Sequence, residues 1–123
     1  VAIQDVGRAI NPALVTGQVQ GGAAQGIGWA LHEEMVYDDN GQPLNPTLMD
    51  YDLPKASHLP PLQVELVELL SEVGPFGAKG VGEPPVIPTA AAVANALADA
   101  VGVRLCELPM TPARVLAALR QHG

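Results

Sequence analysis

An apolar stretch of helical length that carries five glycines constrains this sequence more than any other feature. Leu14, Val15, Val19, Ile27 and Leu31 recur at helical spacing and predict a helix over roughly 13–34. Asn11-Pro12 supplies a start, with an amide to cap free N–H groups and a proline suited to the first helical position. Yet Gly17, Gly21, Gly22, Gly26 and Gly28 fall inside the segment. Each interior glycine costs about 0.5–1 kcal/mol relative to alanine. Either the helix is broken, or its backbone must come very close to something that side chains would hold away.

The remaining elements are shorter. Val1–Val6 reads as a strand, and Asp5-Val6-Gly7 turns the chain. Glu33–Tyr37, the turn Asp38-Asp39-Asn40-Gly41 and Gln42–Leu44 suggest a surface hairpin. Residues 45–61 look irregular, with prolines at 46, 54, 60 and 61. Leu62–Leu69 alternates apolar and polar residues as a strand with one wet face. Thr89 is expected to cap an alanine-rich helix over roughly 90–101 that Gly102 closes. Val103–Glu107 reads as a short strand holding Cys106 in the core. Thr111-Pro112 opens a last helix that turns Val115, Leu116 and Leu119 inward. The class is α+β: a glycine-rich helix, short strands and two C-terminal helices.

Composition narrows the function. A net charge of −7 disfavours nucleic acid, whose phosphates need a basic surface. No apolar run reaches a membrane span, and no signal peptide pattern is visible. The single cysteine, Cys106, permits no internal disulfide and no cysteine-built zinc site, so a cytoplasmic location is expected. His32, His58 and His122 lack metal-ligand spacing, and Asp38-Asp39-Asn40 lacks the glutamate of a calcium loop, Met49 standing in that place. No protein metal ligand is expected. Ser57 and Ser71 have no nucleophile context.

Glu83 is the candidate catalytic residue. It follows Gly80-Val81-Gly82, whose backbone can lie against a ligand, and it precedes Pro84, which restricts it to extended conformations. Its position near an apolar helix suggests partial burial, which raises a carboxyl pKa and suits a general base. A loop acid that caps the following helix is the other reading, and the pattern leaves both open. Gly80, Val81 and Gly82 can offer N–H groups to a phosphate, although the full dinucleotide and P-loop patterns are absent. Lys79 reads as a solvated loop lysine. Gln25, next to Gly26, has little bulk around it, and its amide can donate and accept at once at a polar cofactor edge. Gln18 and Gln20 read as surface residues.

The glycine-rich segments together carry a resemblance. Asp5-Val6-Gly7-Arg8-Ala9-Ile10-Asn11-Pro12, then Gly17 to Gly28, then Gly77-Ala78-Lys79-Gly80-Val81-Gly82-Glu83-Pro84-Pro85 resemble, in order and distance, the last part of a molybdopterin-binding large subunit. The family is that of xanthine dehydrogenase and aldehyde oxidase, the molybdenum hydroxylases. Asp50-Tyr51-x-x-Pro54 and Leu108-Pro109-x-Thr111-Pro112 fit as well, so the resemblance spans almost the whole of residues 1–123. It implies that residues 1–123 are the C-terminal part of a molybdenum cofactor-binding domain. It implies that Glu83 is a general base beside molybdenum, acting on a water-derived oxygen that attacks an electrophilic carbon of an N-heterocycle or aldehyde. It implies that Gln25, with Gly26, and Gly80, Val81 and Gly82 bind the molybdenum–molybdopterin cofactor.

The resemblance also implies partners. The remaining molybdopterin-binding chain or domain completes the site, iron–sulfur clusters (with FAD as an option) lie in partner domains or subunits, and the substrate is a small molecule. Relatives handle purines, nicotinate-like and isoquinoline-like rings, aldehydes and carbon monoxide. The alternatives are a non-catalytic assembly or interaction module that keeps the fold, and a phosphate-binding domain built on Gly80–Gly82. Exposed apolar surface, with poor solubility or oligomerisation of the isolated chain, is expected.

Overall fold

A computed structural model describes residues 1–122. The elements are β1 (Ala2–Asp5), α1 (Pro12–Leu31), a 3₁₀ turn (Ala56–His58), β2 (Val64–Val67), a second 3₁₀ turn (Pro75–Gly77), α2 (Thr89–Val101) and α3 (Pro112–His122). The α+β class and the order of helices are as the sequence indicates.

α1 is one continuous helix despite its glycines. Asn11 caps it: the side-chain oxygen accepts from Leu14 N–H at 3.2 Å, and Pro12 opens the first turn. Val19, Ala23 and Ala30 form the buried face. Three glycines lie where other segments press on the helix. A Cβ on Gly22 would stand 2.8 Å from Pro85 Cβ, one on Gly26 2.5 Å from Thr89 Cβ, and one on Gly28 2.9 Å from Pro54 Cγ. The helix therefore carries glycine there because its neighbours sit too close for alanine. Leu14, expected on the inner face, is 69% exposed; the buried stripe runs through Val19 and Ala23 and leaves Leu14 on the far side.

β1 and β2 pair in parallel, Ala2 opposite Val64 through Asp5 opposite Val67. A parallel pair needs a long crossover, and α1 lies within it. Among the described residues the two strands pair with no other strand. Ile3 and Val67 point to an uncovered face. The expected hairpin is a single antiparallel bridge, Tyr37 to Pro43, around a turn in which Asp38 accepts from Asn40 and Gln42 N–H groups.

α2 ends at Gly102, whose φ of 74° is open to glycine, and its N–H reaches Ala98 O. Thr89 does not cap it. Its hydroxyl donates instead to Pro85 O at 2.9 Å, because Pro88 already occupies the cap position in helical conformation.

Val103–Glu107 is irregular and not a strand, and Cys106 is exposed, not in the core. Among the described residues no neighbouring strand offers that segment a ladder; Arg104 donates from it to Asn95 Oδ1 of α2 at 3.0 Å, and further on Met110 N–H donates to Ala30 O at 2.6 Å. α3 is tied to the end of α1 by Arg114, which pairs with Glu34 and donates to Pro109 O at 2.8 Å. Leu116 and Leu119 are 48% and 37% exposed; with Val115 they line an open apolar groove shared with Leu31 and Leu97. The fully inward apolar set is small: Val6, Val19, Ala23, Ala30 and Met110. Val73 and Met49 are almost wholly exposed, so the expected apolar surface is present.

Candidate molybdopterin-binding site

The loop that bears Glu83 is fastened to the end of β1. Lys79 N–H donates to Val6 O at 2.9 Å, and Arg8 N–H donates to Gly77 O at 3.1 Å. The approach is tight enough to require glycine at position 7. Its φ is +66°, and a Cβ there would stand 2.2 Å from Gly77 O. Beside it, Asp5 gathers three donors: Gly7 N–H at 3.0 Å, Leu69 N–H at 3.3 Å and Lys79 Nζ at 2.5 Å. Lys79 foremost, then the Gly7 N–H, hold the Asp5 carboxyl below the usual carboxylate range. The lysine read as solvated is thus an ion-pair partner. Neither it nor Asp5 stands out in the sequence as a pair, because 74 residues separate them.

Beyond Lys79 the loop is bare. A Cβ on Gly80 or Gly82 would meet nothing within 4 Å. Among the described residues the N–H groups of Gly80, Val81 and Gly82 have no hydrogen-bond partner. Glu83 opens a turn, its carbonyl accepting from Val86 N–H at 2.9 Å, and its side chain is exposed. The expected partial burial is therefore absent within this chain: α2 begins six residues later and packs on α1, so no apolar wall covers the carboxylate.

Two residues on, Pro85 is buried against Gly22 of α1. Gln25 projects from the adjoining turn of that helix and is exposed. Gly21, one turn before it, is also open: a methyl group there would meet nothing within 4 Å. Gly26 faces the other way, against Thr89. Pro85 thus brings the Glu83 loop and the Gln25 turn onto one region of α1, and both offer unpaired polar groups outward. A cavity of about 410 Å³ between β1, α1 and α2 holds neither residue; Val19, Ile27, Leu62 and Val93 make it apolar.

Other polar clusters serve the fold. His32 Nδ1 lies 2.9 Å from Asp52 Oδ2 and its ring stacks on His58, and Tyr51 donates to Glu33 at 2.8 Å. His32 holds the Asp52 carboxyl low, while the Glu33 bond raises the Tyr51 phenol. Ser71 Oγ accepts from Gly74 N–H at 3.0 Å in the turn before Pro75. Among the described residues no cluster of three or more His, Cys, Asp or Glu side chains can hold a metal ion. No helix among them is long and apolar enough to cross a membrane.

Comparison with known proteins finds the same fold in molybdopterin-binding proteins. The family model of the molybdopterin cofactor-binding domain matches residues 1–60. A xanthine dehydrogenase molybdenum-binding subunit of Escherichia coli is 46% identical over 114 residues, 92% of this chain and 15% of that subunit. The nicotine 6-hydroxylase large subunit of Paenarthrobacter nicotinovorans is 39% identical over 122 residues, 97% of this chain and 15% of that subunit. The crystal structure of quinoline 2-oxidoreductase from Pseudomonas putida superposes with a TM-score of 0.90 at 38% identity, covering 97% of this chain and 16% of that one. That of the aldehyde oxidoreductase from Desulfovibrio gigas gives 0.85 at 39%, covering 96% and 13%. The chain belongs to the xanthine dehydrogenase and aldehyde oxidase family of molybdenum hydroxylases. It spans about 15% of the length of the curated relatives it matches.

Proposed function

We propose that residues 1–123 form the C-terminal part of a molybdenum cofactor-binding domain and supply Glu83 as the base of an oxidative hydroxylation. The single observation behind this is the packing of Pro85 on Gly22, which sets the exposed Glu83 loop beside the turn that bears Gln25. The residues fit a large polar cofactor. Gly80 and Gly82 leave open space where side chains would intrude, and the free N–H groups of Gly80, Val81 and Gly82 are donors aimed at no atom of the described residues. Gln25 adds an amide that can donate through Nε2 and accept through Oε1. Gly26 contributes by allowing α1 to seat against Thr89, which fixes the turn that Gln25 leaves.

The bound cofactor supplies the two-electron oxidant and a place for water to react. Glu83 receives the proton of the water-derived nucleophile on its carboxylate and so raises the nucleophile's reactivity. A substrate C–H becomes C–OH, the oxygen coming from water, with two electrons and two protons released. Cover from the rest of the subunit would shield Glu83 and the reacting atoms from bulk water. The substrate class is an electrophilic carbon of an N-heterocycle or an aldehyde, in keeping with the names of the relatives above. Iron–sulfur clusters, with or without FAD, held in partner domains or subunits of a cytoplasmic complex, would supply the electron-accepting chemistry.

The test uses the complete assembly that contains this chain. Molybdenum and pterin should be present, and Glu83→Gln should lower turnover by about 10²–10⁴-fold with both retained. Turnover kept by that variant removes Glu83 from the role. An assembly without molybdenum or pterin makes the chain an interaction module.

A further inference from the structure

We propose that Asp5 is a positioning residue for the Glu83 loop, acting through Lys79; the catalytic part of this inference rests on the reading of Glu83 as the base. Asp5 ends β1, and its carboxylate collects N–H groups from the turn after β1 (Gly7) and from the end of β2 (Leu69), together with the ammonium of Lys79. One acceptor therefore joins the turn that follows β1 to two points more than sixty residues further along the chain. Lys79 is also the residue whose backbone N–H joins Val6 O, so main chain and side chain fasten the same point. Four residues later comes Glu83. Between them lie Gly80, half-buried Val81 and Gly82, and just beyond Glu83 the buried Pro85 rests on Gly22, so the short loop is held at both ends. The near end of the loop is therefore set at Lys79, where the charge pair reinforces the backbone bond, and its far end at Pro85. Catalytic geometry is sensitive to such shifts, since displacement by about 1 Å can cost about 10²-fold in rate. Gly7 belongs to the same device, because any side chain there would push Gly77 and Lys79 off the strand.

The experiment takes the complete assembly with Asp5→Asn, Lys79→Met and the charge exchange Asp5→Lys with Lys79→Asp. Hydrogen exchange is followed at the Arg8 and Lys79 amides, whose bonds close the clamp, and kcat, KM and molybdenum content are measured. Each single variant should speed exchange at those two amides by up to about fivefold, leave exchange in α1 unchanged, and retain molybdenum. It should lower kcat by about tenfold or more with little change in KM. The exchanged pair should recover part of the kcat loss. Unaltered amide exchange and kcat in both single variants overturn the proposal, as does faster exchange spread evenly through α1. If Glu83→Gln keeps its turnover, the base assignment falls, while the exchange data still decide whether Asp5 holds the loop.

Discussion

Gly22 of α1 and Pro85 of the Glu83 loop touch so closely that a methyl group on the glycine would stand 2.8 Å from the proline Cβ. Neither partner can yield cheaply, since one is helix backbone and the other a rigid ring. The contact seats the loop on the helix, and Gly26 against Thr89 repeats it one turn later.

Replacing either glycine by alanine should therefore destabilise the protein by about 1–3 kcal/mol through overpacking, despite the better helix propensity of alanine. Gly21→Ala serves as the contrast, because its surroundings are open. It should stabilise the helix by up to about 1 kcal/mol. Urea midpoints of the three variants check the order, and a stable Gly22→Ala would contradict the packing account.

Asn11→Ala removes the oxygen that accepts from Leu14 N–H at the start of α1. The expected loss is about 1 kcal/mol, with Asn11→Ser close to the original. Thermal unfolding separates the two, and equal losses would show that the proline alone starts the helix.

Acid stability should depend on Asp5. Its folded-state pKa lies below the ordinary value of about 3.9, because Lys79 and backbone N–H groups favour the charged form. Its contribution is fully present above the unfolded value and is lost as pH falls through the folded one. Asp5→Asn should flatten the decline in stability below about pH 4, leaving the part due to Asp38 and Asp52, which are shifted the same way. A pH profile identical to that of the original chain would deny Asp5 this share.

Helix positions are legible in the sequence because period, cap and stop residues are local signals. Asn11-Pro12, Thr111-Pro112 and Gly102 each act where they stand. The Glu83 and Gln25 motifs are equally visible, being short and glycine-marked. What stays hidden depends on long-range contact. Thr89 has the chemistry of a cap but finds Pro85 O first, and Leu14 has the period of the buried face but lies outside the stripe that α2 covers. The Asp5–Lys79 pair joins two segments that the fold alone makes neighbours. Val103–Glu107 has strand composition but no partner strand among the described residues, and without a ladder its composition decides nothing.

The paired strands β1 and β2 have a wider consequence. A two-membered parallel ribbon leaves a row of unspent amide donors and acceptors along either flank, and ribbons of that size are rarely self-sufficient in water. Prepared by itself, this stretch of polypeptide should zip onto its own copies, sedimenting as a concentration-dependent mixture; one sharp 12.7 kDa boundary at every loading would speak against that. On the function proposed above, a surrounding subunit would then do more than complete a reaction centre: it would keep a sticky flank out of circulation.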